Sequence, residues 1–268
     1  IGGGCINQAF RVVDGLQRYF VKLNTPSSLA MFAAEADGLM EIHQSHTLRV
    51  PLPVCYGQND DTAWLVLEYM DINHGTRGKA SDLGVQLAVM HRVTAQQFGW
   101  TRNNTIGQTP QINTLSSDWI DFWRTQRLGY QLDLAKANGF NGKLQTLGER
   151  LLIDLDKILA GISPSPSLLH GDLWSGNYAY DERGNPVLFD PAVYYGDRET
   201  DIAMTELFGG FATDFYSAYR HEYPLDSGYN IRKIVYNLYH ILNHLNLFGS
   251  SYRHQAEQMM NVLLAEIH

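Results

Sequence analysis

Residues 168–190, LLHGDLWSGNYAYDERGNPVLFD, hold two aspartates and an asparagine whose spacing suits metal and proton chemistry. Asp172 follows His170-Gly171, Asn177 comes five positions later, and Asp190 ends a second apolar run. Tyr178-Ala179-Tyr180 and Val187-Leu188-Phe189 read as two short strands. The run between them, residues 181–186, is dense in turn formers. A hairpin there would set Asn177 beside Asp190 at its open end, with Asp172 in the loop leading in. Two oxygen donors next to a free carboxylate make a candidate divalent-metal site with a base beside it.

A second group opens the chain. Gly2, Gly3, Gly4, Cys5, Ile6 and Asn7 form a glycine-rich run ahead of a strand at Phe10-Arg11-Val12-Val13. Glycine lets backbone amides approach a bulky anion, although such a run also fits a flexible end. Asp14-Gly15 reads as a two-residue turn, and the return strand ends on Lys22. Ser28 would cap a helix to about residue 43, with Phe32, Ala36 and Leu39 on one face and Glu35 beside that stripe. Alone, Lys22 reads as a solvated edge charge and Glu35 as an exposed helix residue. In the order glycine loop, hairpin, lysine strand and glutamate helix, they build a phosphate cradle in which the glutamate holds the lysine. The apolar strand of residues 64–70 follows. Its end, Glu68 to Met70, offers either a backbone edge for adenine or simply a core strand.

From Ser81, read as a helix cap, the chain turns mostly helical, with Leu83, Leu87 and Met90 on one face. Residues 99–111 read as a polar loop. Residues 118–136 carry an aromatic face suited to a core, and Leu144, Leu147, Leu151, Leu155 and Ile158 form a helical stripe. Asp201 is placed to cap a further helix or to anchor the loop around Asp172. Residues 231–247 form another helix, which bears Asn243, His240 and His244. The two histidines are four apart, as in a metal pair, but no third ligand lies nearby, so core or substrate-contact roles are the alternative.

The chain has 268 residues, 44% hydrophobic, enough for one large domain or two lobes. A formal net charge of −8 disfavours a nucleic-acid or anionic-membrane surface. There is no apolar run of membrane-spanning length, and two cysteines provide no disulfide framework, so a cytoplasmic setting is expected. The opening at Ile1, inside a candidate functional loop, implies residues upstream of this numbering.

These parts fit phosphoryl transfer from ATP, which needs positioned phosphates, a metal and an oriented hydroxyl. Gly2, Gly3, Gly4, Cys5 and Asn7 would cover the phosphates, and Lys22 would pair with them and with Glu35. Asn177 and Asp190 would hold Mg2+, and Asp172 would accept or orient the proton of the attacking hydroxyl. The pattern departs from that of eukaryotic protein kinases: the loop reads His170-Gly171-Asp172, Pro191-Ala192 follows the metal aspartate, and no activation segment is present. The expected fold class is α+β and bilobal. Residues 1–72 would form a small antiparallel N-lobe with one helix, and residues 73–268 a larger, mainly helical C-lobe.

HGDLWSGN (170–177), FDPAVYYGDRETDIAMTELFGGF (189–211) and YHILNHLNLFG (239–249) resemble the fructosamine kinase, or ketosamine kinase, family, as do GGGCINQAF, YFVKLN and IGQTPQ. The resemblance spans nearly the whole chain. It implies a protein-kinase-like fold of the aminoglycoside phosphotransferase type and ATP-dependent phosphorylation, at the third carbon, of the sugar in ketosamines such as ribulosamine, erythrulosamine or fructosamine adducts. That modification releases the amine, a deglycation or protein-repair role. By motif it implies Asp172 as base, Asn177 and Asp190 as metal ligands, and Lys22 with Glu35 as the phosphate anchor. Glu68 and Met70 fall at the adenine hinge by position only. Trp174 is a candidate sugar platform or a loop-packing residue; Asn243 and His244 are further substrate candidates. Cys5, a thiol in the glycine loop, suggests a redox-dependent homodimer. The alternatives are an aminoglycoside- or choline-type kinase, a non-catalytic pseudokinase, and a metallohydrolase built on the histidine helix.

Overall fold

The computed structural model describes residues 7–73 and 78–266. The expectations placed on Gly2, Gly3, Gly4 and Cys5, the Cys5 dimer included, lie outside the described residues. In chain order come β1 (Gln8–Asp14), β2 (Gln17–Asn24), α1 (Leu29–Gln44), β3 (Pro53–Gln58), β4 (Ala63–Glu68), β5 (Ile72–Asn73) and α2 (Ala80–Met90). Next are β6 (Asn104–Ile106), β7 (Thr109–Gln111), α3 (Trp119–Trp123), α4 (Tyr130–Ala137) and α5 (Lys143–Ile158). The chain ends with β8 (Ser167–Leu169), β9 (Tyr178–Asp181), β10 (Pro186–Leu188), β11 (Tyr194–Gly196), α6 (Glu199–Leu207), α7 (Thr213–Glu222), α8 (Tyr229–Phe248) and α9 (Arg253–Ala265).

The chain divides into two compact units. The first takes residues up to 93 together with His170–Val193 and Gly210–Pro224; the second takes Thr94–Leu169, Tyr194–Gly209 and the chain from Leu225. This division differs from a single boundary at residue 72/73. The reason is hydrogen bonding: β5 adds to the β9–β10 hairpin as a third antiparallel strand, and Leu188 donates its N–H to the Arg49 carbonyl at 2.9 Å.

In the first unit a four-stranded antiparallel sheet has the order β1-β2-β4-β3. Burial alternates along β4, with Ala63, Leu65 and Leu67 buried, and Phe32, Ala36, Leu39 and Ile42 of α1 are buried with them. Lys22 pairs with Leu65, so its side chain lies on this covered face. The β1–β2 loop is Gly15-Leu16, one residue later than the Asp14-Gly15 turn read from sequence. Gly15 at the first loop position supplies the positive φ, 59°, that a two-residue hairpin needs. Ser28 makes no side-chain cap on α1, because Pro26–Ser28 already winds as a 3-10 turn into the helix. Ser81 is likewise no cap: α2 starts at Ala80, with extended Lys79 ahead of it. Helices α2 and α7 pack closely, since a Cβ on Gly84 would meet the Phe215 carbonyl at 2.3 Å.

The second unit is mainly helical. Its core centres on Trp119, Trp123 and Tyr236, whose rings pack at 5.0–6.1 Å. Arg127 is fully buried there, its guanidinium 4.2 Å from the Tyr194 ring and donating to the Ile112 carbonyl and Asn113 Oδ1 at 2.6 and 2.8 Å. The helix expected over 118–136 is interrupted by a π-helical segment, Arg124–Gly129. The polar loop expected at 99–111 ends in the β6–β7 hairpin, turned at Gly107 with φ 63°. Asp201 is not the cap of α6 but lies buried in its first turn, while the Asp197 carboxylate accepts from the Glu199 N–H. No helix among the described residues is long and apolar enough to cross a membrane.

Candidate active site

Lys22 comes from β2, Glu35 from α1 and Asp190 from the end of the β9–β10 hairpin, and they converge in the first unit. The Lys22 ammonium lies 2.5 Å from Glu35 Oε1 and 2.5 Å from Asp190 Oδ1. Lys22 and Glu35 are nearly buried, whereas the Asp190 side chain is 46% exposed. Burial alone would depress the Lys22 pKa, but the two carboxylates outweigh it and push the pKa above its ordinary value. Glu35 is pushed up by its own burial, against the opposing pull of the Lys22 charge. Helix α1 reaches this position through Gly38, one turn on from Glu35, where a Cβ would stand 3.2 Å from the Val193 side chain. Asp190 itself has φ 58°, a conformation L-residues rarely adopt, held between the β10 pairing and the residues that meet α1.

The loop carrying Asp172 is stapled to the same segment. Ala192 donates its N–H to the His170 carbonyl at 2.8 Å. Gly171 has φ 82°, and a Cβ there would meet the Ala192 carbonyl at 2.1 Å, so only glycine fits. The Asp172 N–H donates to His170 Nδ1 at 3.2 Å, which leaves Nε2–H to donate to the Phe189 carbonyl at 3.1 Å. His170 thus fixes the loop and the hairpin end together, a role the sequence reading did not assign although the residue stands in the motif. Asn177 donates from Nδ2 to the Asp172 carbonyl and to Asp172 Oδ2, at 2.9 and 3.3 Å. Its Oδ1 is therefore the end available to a cation.

The donor set fits Mg2+, which takes one or two protein oxygens and completes its shell with water and phosphate oxygens. Asn177 Oδ1 and the exposed part of the Asp190 carboxylate are such donors, and no cluster of three or more His, Cys, Asp or Glu ligands competes among the described residues. Bound there, the ion would neutralise phosphate charge.

Other expected positions are placed as follows. Asn24 Nδ2 donates to Asn7 Oδ1 at 2.7 Å, tying the end of the glycine run to the end of β2. The Glu68 N–H donates to the Leu52 carbonyl, and its carboxylate accepts from Arg49 at 2.6 Å. Met70 lines an open depression of about 460 Å3 with Arg49, Asp71, Asp181 and Arg183, a space that includes none of Lys22, Asp172 or Asp190. Trp174 is 39% exposed. Asn243 and His244 belong to the second unit. Asn243 is buried, accepting from Gln131 and donating to the Ile106 carbonyl, both at 3.3 Å. His244 stacks on Phe248 and Tyr252 with ring centroids at 5.3 and 5.1 Å.

The family model described as fructosamine kinase matches residues 1–266. The chain belongs to the fructosamine kinase family. A probable ketoamine kinase of Synechocystis sp. is 47% identical over 98% of this chain and 89% of its own. The chloroplastic protein-ribulosamine 3-kinase of Arabidopsis thaliana is 43% identical over 97% of this chain and 80% of its own. A solved structure from Haemophilus somnus, provisionally named a fructosamine-3-kinase, superposes with a TM-score of 0.89 at 30% identity, covering 98% of this chain and 89% of that one. An aminoglycoside phosphotransferase, 15% identical, matches with a TM-score of 0.66 over 99% and 93% of the two chains. The chain thus has the α+β, bilobal, protein-kinase-like fold of the aminoglycoside phosphotransferases.

Proposed function

We propose that this protein transfers the γ-phosphoryl group of ATP to a sugar hydroxyl of a ketosamine, with the 3-hydroxyl as acceptor. The observation that carries the reading is the convergence of Lys22, Glu35 and Asp190 beside the Asp172–Asn177 pair, in a chain matched by the fructosamine kinase family over residues 1–266. Lys22 holds the phosphates of ATP, and Glu35 keeps the ammonium aimed. Asp190 and Asn177 hold Mg2+. Met70, through its backbone, and Glu68, through its carbonyl since its N–H is held by Leu52, serve adenine, and Asn7 stands at the phosphates. Asp172, kept in place by the Asn177 amide, orients the acceptor hydroxyl and receives its proton as the O–P bond forms and ADP leaves. The Trp174 indole supports the acceptor, since an aromatic face attracts both sugar C–H groups and a cationic amine. Asn243, with its amide committed to Gln131 and Ile106, supports its helix.

The test is ADP release with Mg-ATP across ribulosamine, erythrulosamine and fructosamine adducts, aminoglycosides and choline. Turnover of a ketosamine is expected. Turnover confined to aminoglycosides or choline, or none at all, would sink the reading. Asp172→Asn is expected to lower kcat by at least 100-fold while leaving the Kd for Mg-ATP within about twofold. Near-normal turnover in that variant would remove Asp172 from the role of base.

A further inference from the structure

Gly176 stands between Trp174 and Asn177 in the loop that carries Asp172. A Cβ built on it would fall 2.2 Å from Cη2 of the Trp174 indole, 2.4 Å from Cζ2 and 2.6 Å from Cζ3. Such distances are far inside van der Waals contact, so the six-membered ring of the indole rests on the bare Cα. The glycine of the same loop at 171 differs on both counts. Gly171 needs its positive φ and makes room for a backbone carbonyl, whereas Gly176 has no positive φ and its three nearest contacts are all atoms of one side chain. The backbone therefore gives no reason for glycine at 176, and glycine loses more chain entropy on folding than alanine would. The missing side chain serves the ring.

Trp174 is 39% exposed, an uncommon state for a tryptophan, and it is tied to the chemistry through one turn. The Asn177 N–H donates to the Trp174 carbonyl at 2.9 Å, and Asn177 in turn holds Asp172. The residues from Trp174 to Asn177 thus present an aromatic plate and an amide ligand from a single bend, with Gly176 inside it.

We propose that Gly176 is a positioning residue, whose bare Cα seats the Trp174 indole flat against the loop so that the free part of the ring supports the sugar-amine acceptor. This rests on the ketosamine reading above. A methyl group at 176 meets no backbone atom among its nearest contacts, so alanine moves the ring and leaves the bend in place.

The test is a double-mutant cycle of Gly176→Ala and Trp174→Ala, assayed with ribulosamine and Mg-ATP. Gly176→Ala is expected to raise the acceptor KM at least fivefold with the Kd for Mg-ATP within twofold. In the Trp174→Ala background the same substitution is expected to change the acceptor KM less than twofold, because there is no ring left to displace. An equal effect in both backgrounds, or an unchanged acceptor KM in Gly176→Ala, overturns the proposal. A second readout needs no acceptor: acrylamide quenching of the fluorescence contributed by Trp174, taken as the difference from Trp174→Phe. It is expected to rise in Gly176→Ala, and equal quenching removes the seating. A wild-type protein inert toward every ketosamine, with the quenching difference present, removes the acceptor reading and keeps the seating.

Discussion

Lys22 is the residue on which two carboxylates meet, and the energetics of that contact set what its loss would do. A buried ammonium between Glu35 and Asp190 stays charged despite desolvation. Lys22→Met leaves Glu35, whose side chain is 11% exposed, without a counter-charge, and breaking a buried pair in this way costs about 3–5 kcal/mol. Part of that cost is relieved when Glu35 takes up a proton. With Lys22 gone, burial acts on Glu35 unopposed and raises its pKa further. A carboxyl whose folded pKa exceeds its unfolded value gives stability that is present at low pH and lost as pH rises through the folded pKa. The deficit of Lys22→Met relative to wild type is therefore expected to be smallest near pH 4 and to grow toward pH 8, read as the difference in thermal midpoint. A deficit independent of pH would mean that Glu35 is not the group left stranded. Lys22→Met is also expected to lower kcat/KM for Mg-ATP at least 100-fold, since the phosphate anchor is removed.

At the scale of elements, α6 and α8 are joined by one buried ion pair. Arg232 of α8 binds both carboxylate oxygens of Glu199 in the first turn of α6, at 2.6 and 2.8 Å, with side chains 6% and 3% exposed. Arg232→Leu strands Glu199 and is expected to lower unfolding free energy by about 3–5 kcal/mol in urea titration. Arg232→Leu combined with Glu199→Leu should recover most of that loss, because no buried charge is then unpaired; a double variant as weak as the single one would assign the loss to packing. Legibility at this scale followed the range of the interaction. The β9–β10 hairpin could be read because its turn residues lie between its strands, and the observed register, Tyr178 with Leu188, sets Asn177 near the strand end that leads to Asp190. Helix α5 could be read from its leucine stripe. In contrast, β8 and β11 are three residues each and exist through pairing with one another and through single bridges to Thr94 and Gly99, and α7 buries just Phe215 and Tyr219 amid polar neighbours. As a candidate set, Lys22, Glu35, Asp172, Asn177 and Asp190 could be picked out from residue type and chain order. The direct Lys22–Asp190 contact, across 168 positions, and the His170 proton arrangement are products of folding that no local pattern encodes.

For the whole molecule, the response to acid follows from groups buried in states they do not hold in water. His240 on α8 is the clearest. It is 5% exposed and packed against Tyr239, with His244, Asp201 and Arg127 as the charged or titratable groups acting on it. Burial, with the nearby His244 and Arg127 charges, lowers its pKa to about 3, against an opposing pull from Asp201. The unfolded chain binds a proton at about pH 6.5 and the folded chain only near pH 3, so the contribution of His240 is complete above 6.5 and lost as pH falls through that window. At about 1.4 kcal/mol per pH unit, the loss reaches about 5 kcal/mol, a large part of a typical domain's stability. Asp197 works in the opposite direction. Burial and Glu199 raise its pKa to about 6, so its contribution is present below the ordinary carboxylate pKa and is lost as pH rises through 6. Wild-type stability between pH 4 and 6 is thus a difference of two opposed slopes, and a bare pH profile would not separate them. His240→Gln does, because it removes one proton-binding group and leaves Asp197 in place. The gap in urea midpoint between wild type and His240→Gln is expected to narrow as pH falls from 7 to 4, the variant losing less than wild type over that range. A constant gap would show that His240 takes up its proton as readily in the folded chain as in the unfolded one.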